Sequence, residues 1–344
     1  MAALRNTYIN CQNPPENRPL PWEPPKLTDP YRPDIVYFGE VLAEMDRRLD
    51  VTGLTFYFTE SLDSLPSYGL DVVAILLGDE FAQVPEYFGD VRAIFKNYTV
   101  QPALTSNVLR EPSWVNLWSL AWYLRTVAYH VPASARYRRR RQDGKWAAPI
   151  WRIPVGVVDQ LDLPVKPFFE RRHDIFFGGS VGHHGDERLK ERINPKVMAR
   201  KAMVTQAERL AAKHPEVSVE LVTTAGFQLS MDADADEYSR KLMDSRIALV
   251  PRGTAIDTFR FWQALRYGCL AVVDTVPSHP WFYSGAPVVR LSRWSQLEDV
   301  VTRLLSDQPR LERLHRESLE WWRTRGSPEA VGAYMAAKLN SLAV

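Results

Sequence analysis

The chain has 344 residues, 45% hydrophobic and 24% charged, a length that exceeds one ordinary hydrophobic core and favours two domains. Its 43 Lys and Arg against 41 Asp and Glu leave a net charge of +2, which excludes a dedicated nucleic-acid binder, and its two cysteines, Cys11 and Cys269, lack neighbours at metal-ligand spacing. No stretch is apolar enough to span a bilayer and Met1 to Leu20 has no signal-peptide core, so the chain reads as cytoplasmic with no integral membrane segment.

In chain order, Cys11 to Pro33 is proline-rich without periodicity and predicts an extended arm. Apolar spacing predicts a helix over Tyr37–Leu49, and alternation predicts a strand over Leu54–Thr59. The apolar run Val72–Leu77 fits a strand buried on both faces of a parallel sheet; it stops at Gly78-Asp79-Glu80. Val91–Tyr98 is a further strand, and Trp114–Val131 an aromatic-rich helical or irregular segment. Arg136 to Lys145, with four consecutive arginines (Arg138 to Arg141) before Asp143-Gly144, predicts a surface loop. Ile150–Gly156 then leads into a proline-punctuated boundary.

The second half alternates strand and helix. Strands are expected at Asp174–Phe177, Val217–Thr223, Ile247–Val250, Leu270–Asp274 and Val288–Leu291. Helices are expected at Met198–Lys213, Glu237–Asp244, Thr258–Tyr267 (with Gly268 beyond its C-terminus), Leu297–Leu305 and Pro309–Arg325. This rhythm predicts an α/β fold with parallel sheets. The expected division is 1–165, 166–325 and a C-terminal helix in 326–344.

Ligands of open parallel sheets bind beyond the C-terminal ends of the strands. At one such end, Pro251-Arg252-Gly253-Thr254 leads to Asp257-Thr258-Phe259-Arg260. Free N–H groups at the helix start and a bidentate arginine would hold phosphate oxygens; the alternative is a plain loop with Asp257 capping the helix and Arg260 solvated. At another, Gly178-Gly179-Ser180-Val181-Gly182 permits close approach of a phosphate or sugar, or is a plain turn. Arg200 on the following helix would reach the same phosphates, or be solvated. Met231 to Glu237 contains an Asp-x-Asp pattern at Asp232, Asp234 and Asp236. It precedes a helix, where acids are favourable regardless of function, so no metal site is assigned.

The segment Ser245–Asp274, SRIALVPRGTAIDTFRFWQALRYGCLAVVD, resembles the C-terminal signature of exostosin-like glycosyltransferases. Asp174–Ser180 (DIFFGGS) with Arg200-Lys201-Ala202-Met203, Ile153–Gly156, Leu77–Glu80 and Phe95–Tyr98 resemble further blocks of that family in its order. The resemblance implies the GT-B fold: two facing Rossmann-like domains with parallel sheets. It further implies a UDP-sugar donor on the C-terminal domain, a glycan or small-molecule acceptor on the N-terminal domain, and no other cofactor. Arg260 would contact the diphosphate and stabilise the leaving group. The donor set would comprise Gly179, Ser180, Arg200, Pro251, Arg252, Gly253, Thr254, Asp257, Thr258 and Gln263. Gln263 stands where the family generally has a ribose-binding glutamate, and Ala271 where it has a proline. Asp79 or Glu80 would deprotonate the acceptor hydroxyl, with His130, His183 and His184 as rival bases; the alternative is that one acid caps a helix and the other is exposed. Arg138 to Arg141 would be solvated, or meet an anionic acceptor or lipid headgroups. A GDP-sugar transferase and a non-catalytic nucleotide- or carbohydrate-binding protein remain as alternatives.

Overall fold

The structure, a computed structural model, describes residues 5–11, 20–23, 34–98, 101–102, 104, 109, 113–158, 161–182, 194–224, 233–277 and 279–342. The chain divides into two α/β units. One comprises Met1–Ala103, Tyr123–Gly156 and Ser327–Val344; the other comprises Leu104–Trp122 and Val157–Gly326. Where boundaries at 165 and 325 are expected from sequence, the chain changes unit four times. The helix Pro328–Asn340, expected to stand apart, belongs to the first unit.

The first unit holds strands β1 (Thr7–Asn10), β2 (Leu20–Pro21), β3 (Thr55–Thr59), β4 (Gly69–Leu76), β5 (Val91–Lys96) and β6 (Ile150–Arg152). They form one sheet in the order β2-β1-β3-β4-β5-β6, parallel except for the β1–β2 pair. The apolar run of β4 behaves as its composition dictates: Val72 to Leu76 are all buried, because the sheet is covered on both faces. The helix Asp34–Arg48 packs on Pro328–Asn340, and Gly332 makes that possible. A Cβ there would lie 2.7 Å from the Val41 carbonyl oxygen. β1 was not anticipated, since its four residues are too short for alternation to show. It is held from a distance: buried Asp46 accepts from Asn6 Nδ2 (2.7 Å) and from the Tyr8 hydroxyl (2.8 Å).

The expected Arg136–Lys145 loop is instead the end of a 29-residue helix, Trp114–Gln142. Arginine is a good helix former and a cation suits the last turn, so the run prolongs the helix. The chain stops being helical only at Asp143-Gly144, where Gly144 takes φ +68°.

The second unit is a wholly parallel five-stranded sheet of β7 (His173–Ser180), β8 (Val219–Thr224), β9 (Ser245–Val250), β10 (Leu270–Val273) and β11 (Val288–Arg290), in the order β11-β10-β9-β7-β8. Its core joins Ile175, Phe177, Ile247, Leu249, Leu270 and Val272 of the sheet to Met203, Leu210, Leu297 and Val301 of the helices. Gly178-Gly179-Ser180 is not a loop after the strand. It completes β7, with Gly178 opposite Val222 and Ser180 opposite Thr224, because pairing to β8 continues through the glycines. The helix Pro195–Lys213 starts at Asn194, whose side chain accepts from Lys196 N–H, with Pro195 in the first turn. The helix Phe259–Arg266 starts at Thr258, not Asp257, and Gly268 follows it at φ +69°.

Candidate functional site

In the second unit the chain runs from β7 outward to β8, returns past β7 to β9, and continues to β10 and β11 on the other side. The direction of winding therefore reverses between β7 and β9, the place where open parallel sheets hold their ligands. The C-terminal ends of these strands are Ser180 and Val250, and the Asp274 that follows β10 lies one strand further along.

Three arginines converge there from three separate segments. Arg260, in the first turn of Phe259–Arg266, donates from Nε to the Gly178 carbonyl at 2.7 Å and lies over the Phe177 ring at 5.7 Å. Arg200, on Pro195–Lys213, donates from Nη1 to Ser180 O (2.7 Å) and Oγ (3.0 Å), and from Nε to Arg252 O (3.4 Å). Arg252, just after β9, donates its backbone N–H to Asp274 Oδ1 (2.9 Å) and its Nη1 to Ser119 Oγ (2.6 Å), while its Nε is buried without a hydrogen-bond partner.

The glycines make this assembly possible. Gly179 takes φ +144°, and a Cβ there would collide with the Arg260 guanidinium; one on Gly178 would collide with the Tyr238 ring. Any side chain at 178 or 179 would push Arg260 or Tyr238 aside.

The electrostatics are lopsided. Burial, and then the charge of Arg260, pull the Arg200 guanidinium down to about 8. Burial alone pulls Arg260 down, and it pulls Arg252 down against the opposing Asp274. Burial likewise pushes the Asp274 carboxyl up, with Arg252 working the other way. The Arg200 guanidinium, crowded by Arg260 in a partly desolvated place, would be relieved by an incoming anion, and planar guanidinium forks suit phosphate oxygens. Arg171 is the contrast. It is as buried as Arg200 but lies at the other end of β9, away from the C-terminal strand ends, where its guanidinium donates to the carbonyls of Ser245, Tyr267 and Lys166.

The structure thus brings together Gly179, Ser180, Arg200, Arg252 and Arg260 of the sequence-expected set. Pro251 is buried, and Gly253 and Thr254 are half-buried in the tight turn that follows β9. Thr258 is the helix cap by position, and Asp257 is buried beside it. Gln263 takes another part. It is buried, with Nε2 donating to Val158 O at 2.7 Å and Oε1 accepting from the Tyr238 hydroxyl at 3.1 Å, so both ends of the amide tie the unit together instead of facing a ribose. Asp274, Tyr238 and Ser119 were not anticipated as part of this constellation. Asp274 carries a signal, an acid at a strand end, whereas Ser119 and Tyr238 arrive on helices with no local mark.

In the first unit, Asp79 is likewise engaged. It pairs with buried Lys96 (Nζ to Oδ2, 2.8 Å) and accepts from the backbone N–H groups of Phe81 (2.9 Å) and Gln83 (2.6 Å). It holds the turn after β4 and balances a buried cation, which is a structural role rather than that of an acceptor-side base. Glu80 beside it is half-buried. His130 is held between Ala82 O (Nδ1, 2.7 Å) and Ser134 Oγ (Nε2, 2.7 Å). His183, His184 and Asp232 lie outside the described residues, and the helix Ala233–Met243 takes in Asp234 and Asp236. Among the described residues no group of three or more His, Cys, Asp or Glu is disposed to hold a metal ion.

No protein-family model matches the chain, and no curated protein matches it. Several solved structures are similar to it. The GtfA/B complex shares 13% identity over 80% of this chain and 58% of that one, with a TM-score of 0.40. AviGT4, a glycosyltransferase involved in avilamycin A biosynthesis, shares 12% over 88% and 78%, with a TM-score of 0.40. WaaG, a glycosyltransferase involved in lipopolysaccharide biosynthesis, shares 11% over 91% and 98%, with a TM-score of 0.39. The chain spans little more than half the length of the first of these. These are likenesses only: the α/β architecture rests on the strand pairings above, and the site on this chain's own arginines.

Proposed function

We propose that the chain is a GT-B glycosyltransferase, similar to the exostosin-like family, that moves a sugar from a nucleotide diphosphate donor, UDP first, to an acceptor hydroxyl. One observation carries this reading: Arg260 and Arg200 converge on Gly178 to Ser180 of β7, where the sheet reverses its winding, and Arg200 also reaches the backbone of Arg252 at the end of β9. A leaving nucleotide diphosphate gains negative charge as the glycosidic bond breaks, and fixed guanidinium groups stabilise that charge without reorganising. With protein cations in that role, the proposed transfer is independent of metal. On the acceptor side, with Asp79 tied to Lys96, Glu80 is the proposed base, ahead of the histidines.

A second reading has an observation of its own. Both Asp79 and Gln263, two of the residues expected to serve catalysis or ribose binding, are engaged within the protein. A protein that binds nucleotide sugars without transferring them would show this too. The deciding experiment incubates the full chain with a panel of UDP- and GDP-sugars and mixed glycan acceptors, with and without EDTA, and follows released nucleotide. The expected result is release from a UDP-sugar that survives chelation. Tight donor binding with no release from any donor would favour the binding-only reading. Loss of release in EDTA, restored by Mg²⁺ or Mn²⁺, would overturn the metal-independent part.

A further inference from the structure

The helix Trp114–Gln142 is apolar on its outer side as well as its inner one: Ala133 and Tyr137 pack on the core of the first unit, yet large apolar side chains also face outward. Its buried positions include the polar Asn116, Ser119, Thr126 and Ser134, while Trp114 (73% exposed), Leu117 (44%), Leu124 (56%) and Val131 (48%) face solvent. Ala121, Ala128 and Ala135 are exposed between them. Steps of three and four residues set all seven on one face, a stripe roughly 30 Å long at a 1.5 Å rise per residue.

The stripe runs directly into exposed Arg138, Arg139 and Arg141. The helix has six arginines and no Asp or Glu. Two of the arginines are already used. Arg136 pairs with Glu86, and Arg140 donates to the carbonyls of Trp146 and Gly89. Among the described residues no carboxylate pairs with Arg138, Arg139 or Arg141.

We propose that this face lies along an anionic lipid surface, with the apolar stripe at the boundary between headgroups and acyl chains and the three arginines against lipid phosphates. Charge selects this occupant over a second copy of the chain. Two such helices laid together would offer each other arginines and no acids, whereas anionic headgroups supply the missing countercharge along the whole face. Trp, Leu and Val on one side with arginines beside them is the composition that seats a helix in the membrane interface. Among the described residues no helix is long and apolar enough to cross a membrane, so the contact is along the surface. The inference does not rest on the sugar-transfer reading: Ser119, which meets Arg252, lies on the buried side of this helix, and none of the exposed residues invoked belongs to the arginine site.

The test is co-sedimentation of the full chain with vesicles of phosphatidylcholine alone and of phosphatidylcholine mixed with phosphatidylglycerol. The native chain should sediment with the mixed vesicles and be released by salt. R138Q/R139Q/R141Q should bind on the order of a hundredfold more weakly, since each arginine near an anionic surface contributes on the order of fivefold. L124Q/V131Q should weaken binding even in salt that screens the arginines. Circular dichroism and native-like urea midpoints would show that both variants remain folded. Equal sedimentation with both vesicle types, or none with either, would overturn the proposal. So would a dimer, seen by light scattering without lipid, that L124Q dissolves.

Discussion

Arg260→Ala is expected to lower kcat by two to three decades while the protein stays folded. The side chain stands over the carbonyl end of β7, bonded to Gly178 O, in space that only glycine at 179 leaves open. A charge-assisted contact to an anion that develops in the transition state is worth about 2–4 kcal/mol, which sets the size of the loss. The fold should tolerate the change. Removal of Arg260 forfeits one hydrogen bond but also relieves Arg200 of the neighbouring charge that helps to depress it, so stability should move by no more than about 1 kcal/mol. Arg260→Lys should fall between, because it keeps the charge and loses the fork. Steady-state kinetics with the best donor from the panel, alongside urea denaturation, check both halves. Near-native turnover in folded Arg260→Ala would remove the residue from the site.

Asp79→Asn should cost the fold rather than the chemistry. Its carboxylate balances Lys96, which is wholly buried. With one partner of a buried ion pair neutralised, the other charge is stranded, a loss of about 3–5 kcal/mol. The backbone N–H groups of Phe81 and Gln83 would also lose a charged acceptor. Asp79→Leu combined with Lys96→Met should recover most of that stability, since a well-packed apolar pair replaces the ions. Glu80→Gln should leave stability within about 0.5 kcal/mol and lower kcat if Glu80 is the acceptor-side base. Urea midpoints together with kcat for the four proteins separate these outcomes. An Asp79→Asn protein that is as stable as the native chain but inactive would return Asp79 to catalysis.

What was legible in the sequence follows physical range. Strands such as Val72–Leu77 and Ile247–Val250 declare themselves through continuous apolar runs. The strand-loop-helix around Pro251 to Arg260 declares itself through Pro, Gly and a helix start. β1 did not, because its place depends on Asp46, about forty residues away, accepting from Asn6 and Tyr8. The arginine run looks like a loop because it is a block of like charge, while arginine's helix propensity and the distant ties of Arg136 to Glu86 and Arg140 to Gly89 hold it helical. In the site, Arg200 and Arg260 were legible as arginines on helices after strand ends. That Arg200 meets both Arg260 and the backbone of Arg252 is a property of strand order, which the sequence does not state. The engagement of Asp79 and Gln263 depends likewise on Lys96 and Val158, partners that only the fold brings near.

The central claim is that these three arginines hold a nucleotide diphosphate. Titration calorimetry of the full chain against UDP, GDP and uridine, repeated with Arg260→Ala, tests it most directly. The account predicts that UDP binds, that uridine without its phosphates does not, and that Arg260→Ala weakens UDP at least tenfold, about 1.4 kcal/mol. GDP binding in place of UDP would change the donor but keep the site. Absence of binding by either diphosphate, or UDP binding that Arg260→Ala leaves unchanged, would contradict it.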